Sequence, residues 1–175
     1  MAKTRTTGSA RRLAARQEFW PNEIAWTGDN EKGWFRAPRT LPLLLALIAS
    51  KTVSGSADPT RVYLELLARH VDEGVVLMAA DEDHAFAAGY TGERGVRSWR
   101  ERMKVLESAG VIRTRGMGAR RYAYVLLVHP SVFVAKLREL KKVDEEWFEA
   151  YRHRQLDTGE VSLAYPDAVA PAAPF

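Results

Sequence analysis

The clearest periodicity in the chain surrounds Val96. Advancing about 100° per residue from that position brings Val96, Trp99, Met103 and Leu106 into one apolar stripe. The opposite side carries Arg94, Arg97, Ser98 and Glu101, with Arg100 and Lys104 bordering it and Arg102 flanking the stripe from the other edge. A helix of this kind packs one face on a domain and presents charge to something acidic. Ala109-Gly110 ends it where a left-handed residue is wanted. Val111 to Arg115 then reads as a strand, Gly116-Met117-Gly118 as a turn, and Arg120 to Val128 as a return strand that starts polar and becomes apolar. Arg113, Arg115, Arg120 and Arg121 are expected to cluster around this hairpin's tip.

Other elements follow from the same patterning. Thr40 is a candidate cap, with Pro42 in the first turn, for a buried helix through Leu43 to Thr52. Asp58-Pro59 opens a helix carrying Val62 and Leu66 that Gly74 terminates, and Val75 to Ala79 is a short strand. Asp81-Glu82-Asp83 supplies a cap and negative charge at the start of a helix from His84 to Tyr90. From Asp58 the expected order is therefore helix, strand, helix, helix, strand, strand. After His129-Pro130 a single long helix is predicted from Ser131 to about Leu156, with Phe133, Leu137, Leu140, Trp147 and Tyr151 in a stripe and Asp144 at the remaining seam position. Asp157-Thr158-Gly159 ends it.

The flanks differ in character. Ile24 to Arg36 sets short aromatic runs on either side of a polar loop, as a β-hairpin does. Trp20, Trp26, Trp34 and Phe35 suit nucleobase stacking, but aromatics in such a hairpin more often pin it to a core. Met1 to Arg16, basic and poor in large apolar residues, is expected to be a disordered arm, and the Ala-Pro-rich end a disordered tail. The organisation predicted is an arm over 1–18, a hairpin-and-helix extension over 19–57, a central domain over 58–129, a C-terminal helix over 130–157 and a tail over 158–175.

Charge sharpens this picture. The formal net charge is +4, yet Thr91 to Arg121 holds nine cations against three anions, a net of +6 that leaves −2 for the rest. Concentration on one helix and one hairpin points to a polyanion. With no cysteine, disulfides, thiolate zinc sites and thiol catalysis are excluded. The run LPLLLALIA is about half the ~20 residues of a membrane span, and no secretory pattern follows the basic start, so a cytoplasmic, nucleoid-associated protein is expected.

No enzyme chemistry is legible, and neither catalytic residues, cofactor nor metal is expected. The four histidines have no helical ligand spacing. His84 beside Glu82 and Asp83 is explained by an acidic helix start, and Gly116-Met117-Gly118 lacks the frame of a phosphate loop. Gly95 stands out near the start of the basic helix, where it costs about 1 kcal/mol against alanine. Close approach to a DNA phosphate and simple tolerance in a first turn explain it equally.

The stretch TGERGVRSWRERMKVLESAGVI followed by RTRGMGARRYAYV resembles the winged helix-turn-helix domains of bacterial regulators and plasmid replication initiators over Asp58 to Val128. The resemblance implies a winged helix-turn-helix over that stretch, and with the flanking elements read above the fold expected is α+β, mainly helical, a winged helix-turn-helix with an N-terminal hairpin-helix extension and a long C-terminal helix. It also implies double-stranded DNA as partner, with helix and wing on one surface. Arg94, Arg97, Ser98 and Glu101 would then face base edges, Arg100 and Lys104 phosphates, and Arg115, Arg120 and Arg121, with Arg113 beside them, would serve the wing. Transcriptional regulation is the expected role, with replication initiation and a protein-interaction module as alternatives. A homodimer through the C-terminal helix is expected to cover its apolar stripe.

Overall fold

A computed structural model describes residues 8–19, 21–22, 35–70 and 74–160. The chain divides into two units, Met1–Trp34 and Phe35–Phe175. In the first, helix α1 runs from Gly8 to Phe19, so the expectation of a disordered arm is corrected there. Alanine and arginine are strong helix formers, and Ala10, Ala14 and Ala15 with Arg11, Arg12 and Arg16 supply enough propensity for a local helix that the charge-based reading overlooked. The expected hairpin over 24–36 lies outside the described residues except Phe35 and Arg36, which are not in a strand. The tail after Glu160 also lies outside them.

The second unit opens with α2 (Leu41–Ala49), whose Leu44, Leu47 and Ile48 are buried. Its amino end corrects the capping expectation: the Thr40 side chain does not cap the helix. Instead the Thr40 backbone N–H and Oγ1 each donate to one carboxylate oxygen of Glu160, both at 2.8 Å. An acidic side chain 120 residues away thus sits at the positive end of α2. The helix stops three residues before the expected end at Thr52, because Ser50 is extended and starts the single turn α3 (Lys51–Ser54).

Helix α4 (Thr60–Arg69) begins one residue past Pro59, with Asp58 Oδ1 accepting from the Thr60 N–H. It ends at Arg69, earlier than the Gly74 stop expected from sequence. Then come β1 (Val75–Leu77), α5 (Asp81–Ala87), α6 (Gly95–Ser108), β2 (Ile112–Met117) and β3 (Arg120–Leu127). The acids Asp81, Glu82 and Asp83 form the first turn of α5 rather than preceding it. The strands make one antiparallel sheet in the order β1-β3-β2, and Met117 extends β2 past the predicted turn, with a bulge between Arg115 and Met117. Gly116 is required at that bulge, since a Cβ there would lie 2.9 Å from the Arg120 carbonyl oxygen. The architecture is α+β, a mainly helical unit with a small antiparallel sheet.

The predicted long C-terminal helix is two helices, α7 (Pro130–Glu139) and α8 (Glu145–Thr158). Asp144, read as a seam residue, is the reason: its carboxylate would be stranded in an apolar stripe, and it instead accepts from the Trp147 N–H at 2.7 Å as the cap of α8. Lys141 takes a left-handed φ of 54° at the break. The stripe is consumed by the chain's own core, with Phe133, Leu137 and Tyr151 buried and Trp147 packed against it, while Leu140 is exposed. The apolar surface that motivated a homodimer is therefore covered within one chain.

The core's largest buried side chain is Trp99 of α6, as its place on the stripe requires. Met103 and Leu106 accompany it, and Val96 is partly buried. Trp99 stacks on His84 of α5 and meets Tyr122 of β3 edge-on at 5.5 Å, so one indole joins two helices and the sheet.

Candidate nucleic-acid interface

The solvent side of α6 is laid out by its helical phase. Arg94 is the residue before the first turn, and Arg97, Arg100, Glu101 and Lys104 are exposed, with Ser98 half-buried. Arg97 Nε donates to Glu101 Oε1 one turn on at 3.2 Å. Such an exposed pair is worth about 0.3–0.5 kcal/mol and yields readily to a better partner. Arg100 reaches back to α5 and donates to Asp81 Oδ2 at 2.6 Å. Arg94, Lys104 and Arg115 have no ion-pair partner among the described residues.

Arg102 serves the fold instead. It donates to the carbonyls of Ser98 and Asp58 and lies 4.6 Å over the Tyr90 ring. Gly95 likewise has a structural reason that neither sequence reading contained: a Cβ there would stand 2.6 Å from the Tyr90 carbonyl oxygen. The glycine lets the turn after Tyr90 close against the first turn of α6.

The hairpin is fixed to α6 through Glu107. That carboxylate accepts from the Thr114 hydroxyl of β2 and faces Arg121 Nη2 of β3 at 3.8 Å. Arg120 turns inward and donates through Nη2 to the carbonyls of Met78 and Ala79, tying the hairpin to the β1–α5 connection. A concave cleft of about 630 Å3 results, lined by Arg100 and Lys104 of α6, Arg120 and Arg121 of β3, and Asp81 and Glu82 of α5. Tyr122 forms part of its wall, and burial pushes that phenol up from its ordinary value while Arg121, 5.4 Å from the ring, pulls the other way.

The four hairpin arginines do not form one cluster. The register places Arg115 beside Tyr124 and Leu77, and Arg113 beside Leu126 and Val75, all on exposed positions of one sheet face. Arg120 and Arg121 belong to the cleft, so the structure brings together Arg100, Lys104, Arg120 and Arg121 and sets Arg113 and Arg115 apart. Asp81 and Glu82, read from sequence only as a helix start, are the acidic wall of the cleft, a role that only the approach of α6 to α5 creates. His84 has both ring nitrogens engaged within the protein. It is fully buried, with Nδ1 3.0 Å from Glu65 Oε1 and Nε2 accepting from the Ala79 N–H at 2.9 Å. No group of three or more potential ligands occurs among the described residues, and none of their helices is long and apolar enough to cross a membrane.

Comparison of the chain with protein families, with curated proteins and with solved structures finds no match.

Proposed function

We propose that Asp58 to Val128 is a winged helix-turn-helix domain that binds double-stranded DNA and that the protein acts as a transcriptional regulator. The observation that carries this reading is the cleft in which α6 and the hairpin contribute Arg100, Lys104, Arg120 and Arg121 to one surface. Element order and strand order support it: helix, strand, two helices and a hairpin, with β3 between β1 and β2. In this reading Arg94, Arg97, Ser98 and Glu101 face base edges, where arginine donates twice to guanine and a glutamate accepts from cytosine. Arg100, Lys104 and Arg121 meet phosphates, and Arg120 holds the hairpin at the angle that lets them do so.

Genomic fragments retained by the purified protein test the proposal, together with the salt dependence of binding to a random duplex. Enrichment of a common site, and a log–log slope near −0.9 for each phosphate engaged, are expected. A salt-insensitive association without enrichment overturns it. Iterated sites beside an origin instead of a promoter would assign the same surface to replication initiation.

A second reading, a module within a larger assembly, draws on the outer sheet face. Leu77, Tyr124, Leu126 and Met117 are exposed there together, with Arg113 and Arg115 alongside. Contiguous apolar surface of this kind marks protein contacts.

A further inference from the structure

The outer face of the sheet is a ladder of two rows. Val75, Leu126 and Arg113 form one across β1, β3 and β2, and Leu77, Tyr124 and Arg115 form the other. All six are exposed, Leu77 by 73%. Apolar side chains therefore fill the face on two strands and arginines edge it on the third, with no carboxylate in either row. Arg113 donates to the carbonyl of Ile112, while Arg115 has no ion-pair partner among the described residues.

A second exposed patch carries the opposite charge. Phe86 of α5, also 73% exposed, lies on the side of that helix away from the buried His84 and Ala85. Glu82 and Asp83 precede it by one helical turn on the same side, and a helical side chain leans toward its amino end, so an apolar ring stands beside two carboxylates. Both acids are exposed, and neither has an ion-pair partner among the described residues.

Charge decides what covers the sheet face. A second copy laid sheet to sheet would set arginines against arginines, whereas a copy presenting α5 brings an apolar ring and two carboxylates to an apolar face edged by guanidinium groups. We propose that Phe86, Glu82 and Asp83 of one copy dock on the outer sheet face of another, with Phe86 against Leu77 and Tyr124 and the carboxylates toward Arg115. The contact joins two different patches and so runs head to tail. It rests on the outer sheet face being a protein contact, as in the second reading above, identifies the partner as this same chain, and does not depend on DNA binding.

Sedimentation equilibrium of the full 175-residue chain without DNA tests the contact. The wild type should associate with Kd on the order of 0.1 mM, as a contact of few side chains implies. Phe86→Ser and Leu77→Ser each remove one patch while keeping the charges, and because both positions are exposed the melting temperature should stay within about 2 °C. Each variant alone should be monomeric. Mixed in equal amounts they should form a dimer, since the first still offers its sheet face and the second its Phe86. Arg115→Glu should weaken association about fivefold by setting like charges together. A wild type that stays monomeric at about 1 mM overturns the proposal. So does a mixture that stays monomeric, either serine variant associating alone, or indifference to Arg115→Glu. A monomeric wild type removes only the second copy and leaves the outer face to a different partner, which separates this failure from failure of the interaction-module reading.

Discussion

His84 lies stacked on Trp99, with ring centroids 5.8 Å apart and planes 20° from parallel, at the junction of α5 and α6. The histidine also joins α4 to this junction through Glu65, which in turn is paired with Arg69 one turn on. A buried carboxylate is tolerable only because two donors engage it, and the Ala79 N–H donates to the other nitrogen, Nε2, of the same imidazole. His84→Ala should therefore destabilise the protein by about 2–4 kcal/mol, since it removes the stacking partner of Trp99 and leaves a buried N–H unpaired. A melting temperature within about 2 °C of wild type would show that this network carries little of the stability.

Gly95→Ala reverses the usual helix-propensity effect. Alanine is favoured over glycine in a helix by about 1 kcal/mol, yet its methyl would stand 2.6 Å from the Tyr90 carbonyl oxygen, and backbone cannot swing aside as a side chain does. We expect a net loss of about 1–3 kcal/mol in chemical denaturation. A stabilised variant would mean that the turn at Tyr90 relaxes freely.

Arg97→Ala and Lys104→Ala separate base reading from phosphate contact. Arg97 is held only by an exposed pair with Glu101, and its loss should weaken the selected site by about 1–3 kcal/mol and relax preference at one base pair. Lys104→Ala should weaken all duplexes alike and reduce the salt slope by about one unit. Fluorescence anisotropy on the selected and a random duplex reads both, and wild-type behaviour of the two variants would remove α6 from the DNA face.

Arg120→Ala differs from either. Because Arg120 donates to the Met78 and Ala79 carbonyls, its first effect should be on stability, by about 1–3 kcal/mol, with affinity for all duplexes falling as the hairpin loosens. Unchanged thermal stability with a lost salt-dependent contact would instead make it a phosphate ligand.

His129 predicts a pH dependence. Burial holds its folded pKa below the ordinary 6.5, so the unfolded chain binds the proton more tightly. Its contribution to stability is complete above about pH 6.5 and is lost as pH falls from there through the folded value. Protonation of Nδ1 also ends its acceptance from Ser131 at the start of α7. Urea unfolding between pH 7.5 and 5 should show a smaller decline for His129→Asn than for wild type, and parallel declines would refute the assignment.

The sequence by itself determined the elements whose signal is local. The stripe Val96, Trp99, Met103 and Leu106 fixed the phase of α6, and Gly110, with φ of 76°, ends the helix region where glycine tolerates what other residues do not. The apolar end of β3 and the order of elements from α4 through β3 were legible for the same reason. Tertiary structure decided what depends on partners distant in sequence. Asp144 reads equally as a seam residue or a cap until the packing of Phe133, Leu137 and Tyr151 requires the chain to turn back on its own core. Glu160 has no local reason to serve Thr40, and no spacing rule connects Glu65 to His84. Arg113 and Arg121 belong to one hairpin in sequence, yet strand register sends the first to an outer face and the approach of α6 draws the second into the cleft. Periodicity along a chain reports which face of an element is apolar, while the identity of what that face meets is set only when the elements pack.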